Sequence, residues 1–137
     1  MGESIKSYQD LIVWKKSIYL CTELYRLTAN FPDSEKFGIT NQIRRASVSI
    51  SSNIAEGWGR NSTKNYIQFL KISRGSLLET QSLLIVSNKL NFLTNDEHKE
   101  IDLLVTEISK MLNKLISTLE NNITNKEQIP YWLLAHI

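Results

Sequence analysis

Apolar residues recur at three- and four-residue intervals in four separate stretches of this chain, and no stretch of useful length alternates with period two. That pattern allows helices and argues against a sheet. The spacing predicts a first helix from about Gln9 to Thr28, with Leu11, Trp14, Ile18, Cys21, Tyr25 and Thr28 in strict register. Ile12, Leu20, Leu24 and Leu27 widen its stripe beyond what a two-helix contact needs. Asn30-Phe31-Pro32-Asp33 ends it, because the residue before a proline disfavours helical geometry, and Asp33 is placed to cap the next helix. A second helix is predicted from Ser34 or Glu35 to Glu56, weakened near Gly38 and stopped at Gly57-Trp58-Gly59, where two glycines permit a left-handed exit. Asn61 or Ser62 caps a third helix, about Thr63 to Lys89, whose inward face carries Tyr66, Leu70, Ser73, Leu77 and Leu84. Thr94 and Glu97 have capping-box spacing ahead of a fourth, with Ile101, Leu104, Ile108, Met111, Leu115 and Leu119 inward.

Helices of roughly 20 to 27 residues are ~30 to 40 Å long at 1.5 Å per residue. Short connections between helices of matched length make antiparallel neighbours, so the expected fold is all-α, an antiparallel up-down-up-down four-helix bundle over residues 1–121. Residues 122–137 stand apart as a C-terminal tail. Its end, Ile129-Pro130-Tyr131-Trp132-Leu133-Leu134-Ala135-His136-Ile137, is too apolar to sit comfortably in water and is expected to dock on its own bundle or on a neighbouring subunit.

The chain has 137 residues, enough for one domain with a real core, and its 42% apolar and 22% charged composition argues against wholesale disorder. No run approaches the roughly 18 apolar residues of a membrane span, and the first residues lack the apolar centre of a signal peptide. A cytoplasmic protein without membrane association is therefore expected. Cys21, the single cysteine, cannot form an internal disulfide, and its place on an apolar stripe reads as a buried structural thiol.

Catalytic constellations are missing. A ferritin-like di-metal site needs facing carboxylates and Glu-x-x-His pairs, but neither His98 nor His136 has a glutamate three residues before it. Gly57-Trp58-Gly59 follows a helix and lacks the spacing and lysine of a phosphate loop. No serine, histidine and acid combination presents itself, so no enzyme activity, metal or cofactor is expected.

What remains is basic and polar. Net charge is only +2, but residues 34–75 carry seven basic and two acidic groups, whereas residues 76–137 carry five basic and eight acidic. A local positive field is therefore larger than the total suggests. Lys64, Gln68 and Lys71 share one face of the third helix with Arg74 beside them and Arg60 just ahead, which is either a solvated face or a phosphate-binding row. Arg44 and Arg45 point ~100° apart, so one is free to be structural while the other binds anions. Within Asn41–Arg60, Ile43, Ile50 and Ile54 share a face with Ala46 and Ser47, and Arg45, Ser49, Ser52, Asn53 and Glu56 form an adjoining polar ribbon. These short groups suit close packing against a helix or subunit better than a plain solvated face, with a ligand contact as the alternative. Ser49, Asn53, Glu56 and Trp58 are accordingly read as contacts of an oligomer or helix interface.

The run Arg44-Arg45-Ala46-Ser47-Val48-Ser49-Ile50-Ser51-Ser52-Asn53-Ile54-Ala55-Glu56-Gly57 closely resembles the signature of the S23, or 23S rRNA intervening-sequence, protein family. The resemblance begins near Tyr8-Gln9-Asp10-Leu11-Ile12-Val13-Trp14. It continues through Phe31-Pro32, Phe37-Gly38, Tyr66, Phe69, Leu70, Ser73, Gly75, Ser76, Leu77 and Glu79, fades in the fourth helix and is absent after Asn121. It implies a bacterial four-helix-bundle protein forming a homopentamer around a channel, with nucleic acid binding. A related branch assists reverse transcriptases of diversity-generating retroelements. Three functional classes are therefore open. One is an oligomeric nucleic-acid-binding protein, RNA foremost, contacting phosphates through Arg44 or Arg45, Arg60, Lys64, Lys71 and Arg74. Another is an adaptor for a protein partner such as a reverse transcriptase, using the bundle ends or the Tyr131 to Ile137 tail, and the third is a purely structural assembly without a nucleic acid role.

Overall fold

The computed structural model describes residues 5–125. Among these, four α-helices form: α1 (Ile12–Thr28), α2 (Ile39–Trp58), α3 (Thr63–Lys89) and α4 (Asn95–Asn125). There is no strand among the described residues. Cross-helix contacts run in opposite directions along each neighbouring pair. Thr28 meets Arg44 and Cys21 meets Ser47 between α1 and α2. Ile50 meets Ser73 and Ser49 meets Ser76 between α2 and α3. Lys71, Arg74 and Gln81 of α3 meet Glu120, Asn113 and Asp102 of α4. With α1 also packed on α4, where Lys16 pairs with Glu107 at 2.8 Å, the helices close the expected up-down-up-down bundle.

The expected caps of α3 and α4 form, whereas Asp33 makes no capping bond and lies within a 3-10 turn ahead of α2. Ser62 Oγ accepts from the Asn65 amide at 3.1 Å, and Thr94 and Glu97 exchange both bonds of a capping box at 3.0 and 3.1 Å. Other boundaries depart from the sequence reading. Residues 8–10 form a 3-10 turn, not the first turn of α1, because Ser7 and the Asp10 carboxylate cap that turn and Leu11 leaves it in extended geometry. The α2 helix starts at Ile39, since Asp33–Glu35 closes a separate 3-10 turn and Gly38 breaks the backbone after it. It then runs through Gly57 to Trp58, past the expected stop at Glu56, and Gly59 exits at φ −77°, which is right-handed. The left-handed turn lies instead at Asn91, φ 62°, between α3 and α4. At the other end, α4 extends past the expected boundary at 121 to Asn125. The apolar segment 129–137 lies outside the described residues, as does its expected docking.

The core is lined by Leu20, Leu24, Ile43, Ile50, Ile54, Leu70, Leu77, Leu84, Ile108, Leu112 and Leu115, all essentially inaccessible. In α1 the middle of the row expected to point inward is rotated outward, while Leu11 and Thr28 at its ends are buried as expected. Val13, Ser17, Leu20, Leu24 and Leu27 are buried, whereas Ile18 and Tyr25 are exposed and Cys21 is only half-buried. The widening residues of that broad stripe are its true centre.

Small polar residues fill much of the remaining interior. Ser17, Thr28, Thr80 and Ser87 are buried and donate to carbonyls four residues back in their own helix, at 2.7 to 2.8 Å. For Ser17, Thr80 and Ser87 these bonds satisfy the hydroxyl without tying one helix to another. Thr28 Oγ1 also accepts from Arg44 Nε of α2 at 3.0 Å, and between α2 and α3 Ser73 Oγ donates to the Ile50 carbonyl at 2.8 Å.

Candidate nucleic-acid interface and the groove between α2 and α3

The α2–α3 seam explains the composition of the 41–60 segment. Ala46, Ser49, Asn53 and Gly57 succeed one another at helical spacing and let α3 approach closely. Ser76 Oγ donates to Ser49 Oγ at 2.8 Å, and Asn53 Nδ2 donates to the Ser49 carbonyl at 2.8 Å and its hydroxyl at 2.9 Å. At Gly57 the approach is tightest, because a methyl group there would sit 2.7 Å from Phe69 Cβ and 3.0 Å from Tyr66 Cδ1. Of the residues read as interface contacts, Ser49 and Asn53 therefore lie on a seam within the chain. Trp58 lies at the end of that seam, edge-on to Tyr66 with ring centroids 6.1 Å apart, while Glu56 is exposed and pairs with Arg60 at 2.9 Å.

The six basic residues do not converge on one point. Arg44 is committed to α1: its guanidinium donates to Thr28 Oγ1 at 3.0 Å and to the Tyr25 carbonyl at 3.3 Å, and lies 4.6 Å from the Tyr25 ring centroid. Arg45, one position on, faces out beside α3. Arg60 and Lys64 occupy the α2–α3 corner, with the Arg60 guanidinium 4.7 Å from the Phe69 ring. Lys71 and Arg74 line the α4 side, paired with Glu120 at 3.0 Å and Asn113 at 3.2 Å. Arg60, Lys64, Lys71 and Arg74 thus form a band along the first half of α3, and Arg45 stands apart from it. Among the described residues Lys64 and Arg45 have no hydrogen bond or ion pair.

Arg45 instead belongs to an open groove of about 350 Å³ between α2 and α3. Asn41, Gln42 and Arg45 supply the α2 wall and Glu79 the α3 wall, over a floor of Ala46, Ser49 and Ser76. Sequence reasoning singled out Arg45 and Ser49 but not Asn41, Gln42 and Glu79. The usable signal was small residues at matching positions on two helices, which mark where a groove opens.

Tyr66, close to the seam, is buried and its hydroxyl has no partner. Loss of solvent pushes its phenol upward, beyond the ordinary tyrosine range. The raised value means that the unfolded chain releases this proton first, so the contribution to stability is complete below about pH 10 and is lost as pH rises above it. Tyr66→Phe should change neutral-pH stability by less than about 1 kcal/mol, since it deletes a hydroxyl that makes no bond. Urea midpoints measured upward from about pH 9 should fall less steeply for the variant than for the parent chain. Parallel declines would show that Tyr66 ionises as it does in the unfolded chain.

A short antiparallel four-helix bundle with its second and third helices fastened by small polar residues, and with a basic band on the third, is the class of protein these features define. The chain belongs to the 23S rRNA-intervening sequence protein family, whose model matches residues 9–114. It is also similar to a protein with unknown function from the S23 ribosomal protein family of Bacteroides thetaiotaomicron. That solved structure is 27% identical, with a TM-score of 0.70, over 77% of this chain and 98% of the other. No curated protein matches. Among the described residues no helix is long and apolar enough to cross a membrane, and no group of histidine, cysteine and carboxylate side chains is arranged to hold a metal.

Proposed function

We propose that this protein is a non-enzymatic, cytoplasmic nucleic-acid-binding protein, with RNA as its ligand, that works as an oligomer. The observation that carries the reading is the band of Arg60, Lys64, Lys71 and Arg74 along α3, within a segment of net positive charge. Lys64 is unpaired among the described residues, and Lys71 and Arg60 pair with exposed carboxylates, Arg60 lying also over the Phe69 ring; a phosphate displaces such carboxylates at little cost because surface pairs contribute at most about 1 kcal/mol. Phosphate contacts of this kind give affinity and strong salt dependence with little base specificity. The homopentamer implied by the family resemblance would repeat the band five times and turn weak contacts into avidity. Arg44, held against α1, serves the bundle in this reading, and Arg45 serves the ligand.

Fluorescence anisotropy against structured ribosomal RNA, duplex DNA and single-stranded DNA, each at low and near-physiological salt, tests the proposal. RNA binding that persists at physiological salt is the expected result. Binding to none of the three removes the reading in favour of a protein adaptor, for example to a reverse transcriptase. That second reading draws on the exposed apolar residues Ile72, Leu78, Ile85, Val86 and Leu90 of α3 and its C-terminal end.

A further inference from the structure

We propose that the groove between α2 and α3 binds one unpaired guanine base of an RNA strand. The inference rests on the nucleic-acid reading and adds to it a base-specific site.

Two charged groups of opposite sign, Arg45 and Glu79, line one groove and yet form no ion pair, whereas Lys16, Arg60 and Lys71 each pair with a nearby carboxylate. Asn41 and Gln42 side chains on the same rim are also without hydrogen-bond partners among the described residues. On the floor the Ser76 hydroxyl proton is already donated to Ser49 Oγ. The groove therefore presents a guanidinium and two side-chain amides on α2 and a carboxylate on α3 at a volume, about 350 Å³, within the range of small-molecule sites.

Guanine matches both walls. Its O6 and N7 accept a bidentate pair from an arginine, the commonest base-specific contact. Its N1–H and exocyclic amino group are adjacent donors, which suit the two oxygens of a carboxylate. Adenine turns the N1 lone pair toward a carboxylate, and uracil and cytosine each have a single donor group to offer. The flat base would rest on Ala46, Ser49 and Ser76, where larger side chains would exclude it. Lys71 is eight residues from Glu79, hence ~12 Å along α3, and Lys64 lies a further two turns away. A strand running along α3 thus reaches the basic band with the nucleotides adjoining the captured base.

The test uses the full chain and labelled nonameric RNAs at near-physiological salt: all-uridine, and the same strand with a central guanosine, adenosine, inosine or 7-deazaguanosine. The guanosine strand should bind about tenfold or more tighter than the uridine and adenosine strands, as one bidentate contact permits. Inosine, lacking the amino group, and 7-deazaguanosine, lacking N7, should each lose most of that gain. Glu79→Gln, an exposed substitution whose folding is checked by circular dichroism, should abolish the preference and leave all-uridine binding equal or stronger. Equal binding of all strands, or a guanosine preference that survives Glu79→Gln, overturns the site while the phosphate-binding function stands. Absence of binding to any nonamer or to structured RNA overturns the function itself and the site with it.

Discussion

Gly57→Val should lower the unfolding free energy by about 3 kcal/mol, at the upper end of what overpacking usually costs. The added Cβ alone would stand 2.7 Å from Phe69 Cβ, a backbone-proximal atom that moves only if α3 moves. Tyr66 Cδ1, three residues earlier on the same helix and at 3.0 Å, is held by the Trp58 ring and by burial. Relief therefore requires the two helices to separate, which strains the Ser49–Ser76 and Ser73–Ile50 bonds along the same seam. Gly75→Ala is the control. No atom lies within 4 Å of a methyl group placed there, so the substitution should stabilise α3 by about 1 kcal/mol through helix propensity alone. Urea unfolding followed by far-ultraviolet circular dichroism measures both. A Gly57→Val variant within about 1 kcal/mol of the parent would mean that the seam yields freely.

Reversing charge at Lys64, Lys71 and Arg74 together, each to Glu, should abolish measurable RNA retention while the helical spectrum is kept. All three lie on the surface of α3, and their losses within the fold are one exposed ion pair and one side-chain hydrogen bond. Each phosphate contact to a single strand contributes about 0.7 to the slope of log affinity against log salt, so loss of three should flatten that slope by about 2. Slope is the sharper readout, because a partly unfolded variant loses affinity without a defined change in salt dependence. Unaltered affinity and slope would remove the α3 band as the binding surface.

Much of this architecture was legible from apolar periodicity. The inward faces of α2 and α3 read correctly: the α2 stripe is narrow, so Ile43, Ile50 and Ile54 leave one solution for the helix rotation, while α3 has apolar residues on several faces and its row of Leu70, Ser73 and Leu77 stood out by three-and-four spacing. The α1 stripe is wide, and a wide stripe fixes a face only to within a turn of its neighbours. Hence Leu20 and Leu24 displaced Ile18 and Tyr25 from the centre. The beginning of α2 was misread because helical propensity at Ser34–Phe37 gives no account of Gly38 and the 3-10 turn before it. At the candidate site the two arginines were rightly separated by geometry, but which of them is structural depended on Thr28 and Tyr25, sixteen and nineteen residues earlier. Glu79 could not be linked to Arg45 without the register of α2 against α3.

Polar side chains divide the bundle's four contacts into two kinds. The α1–α2, α3–α4 and α1–α4 contacts carry their cross-helix polar bonds mainly on long side chains, Arg44, Lys71, Arg74, Gln81 and Lys16, which tolerate small shifts of register. Between α2 and α3 a glycine and crossing serine bonds set the register to a single residue. These two helices are also joined by the four residues 59–62, so this seam closes the shortest loop for the most specific contact. The α2–α3 hairpin is thus the template of the molecule, and α1 and α4 are the cladding that assembles on it.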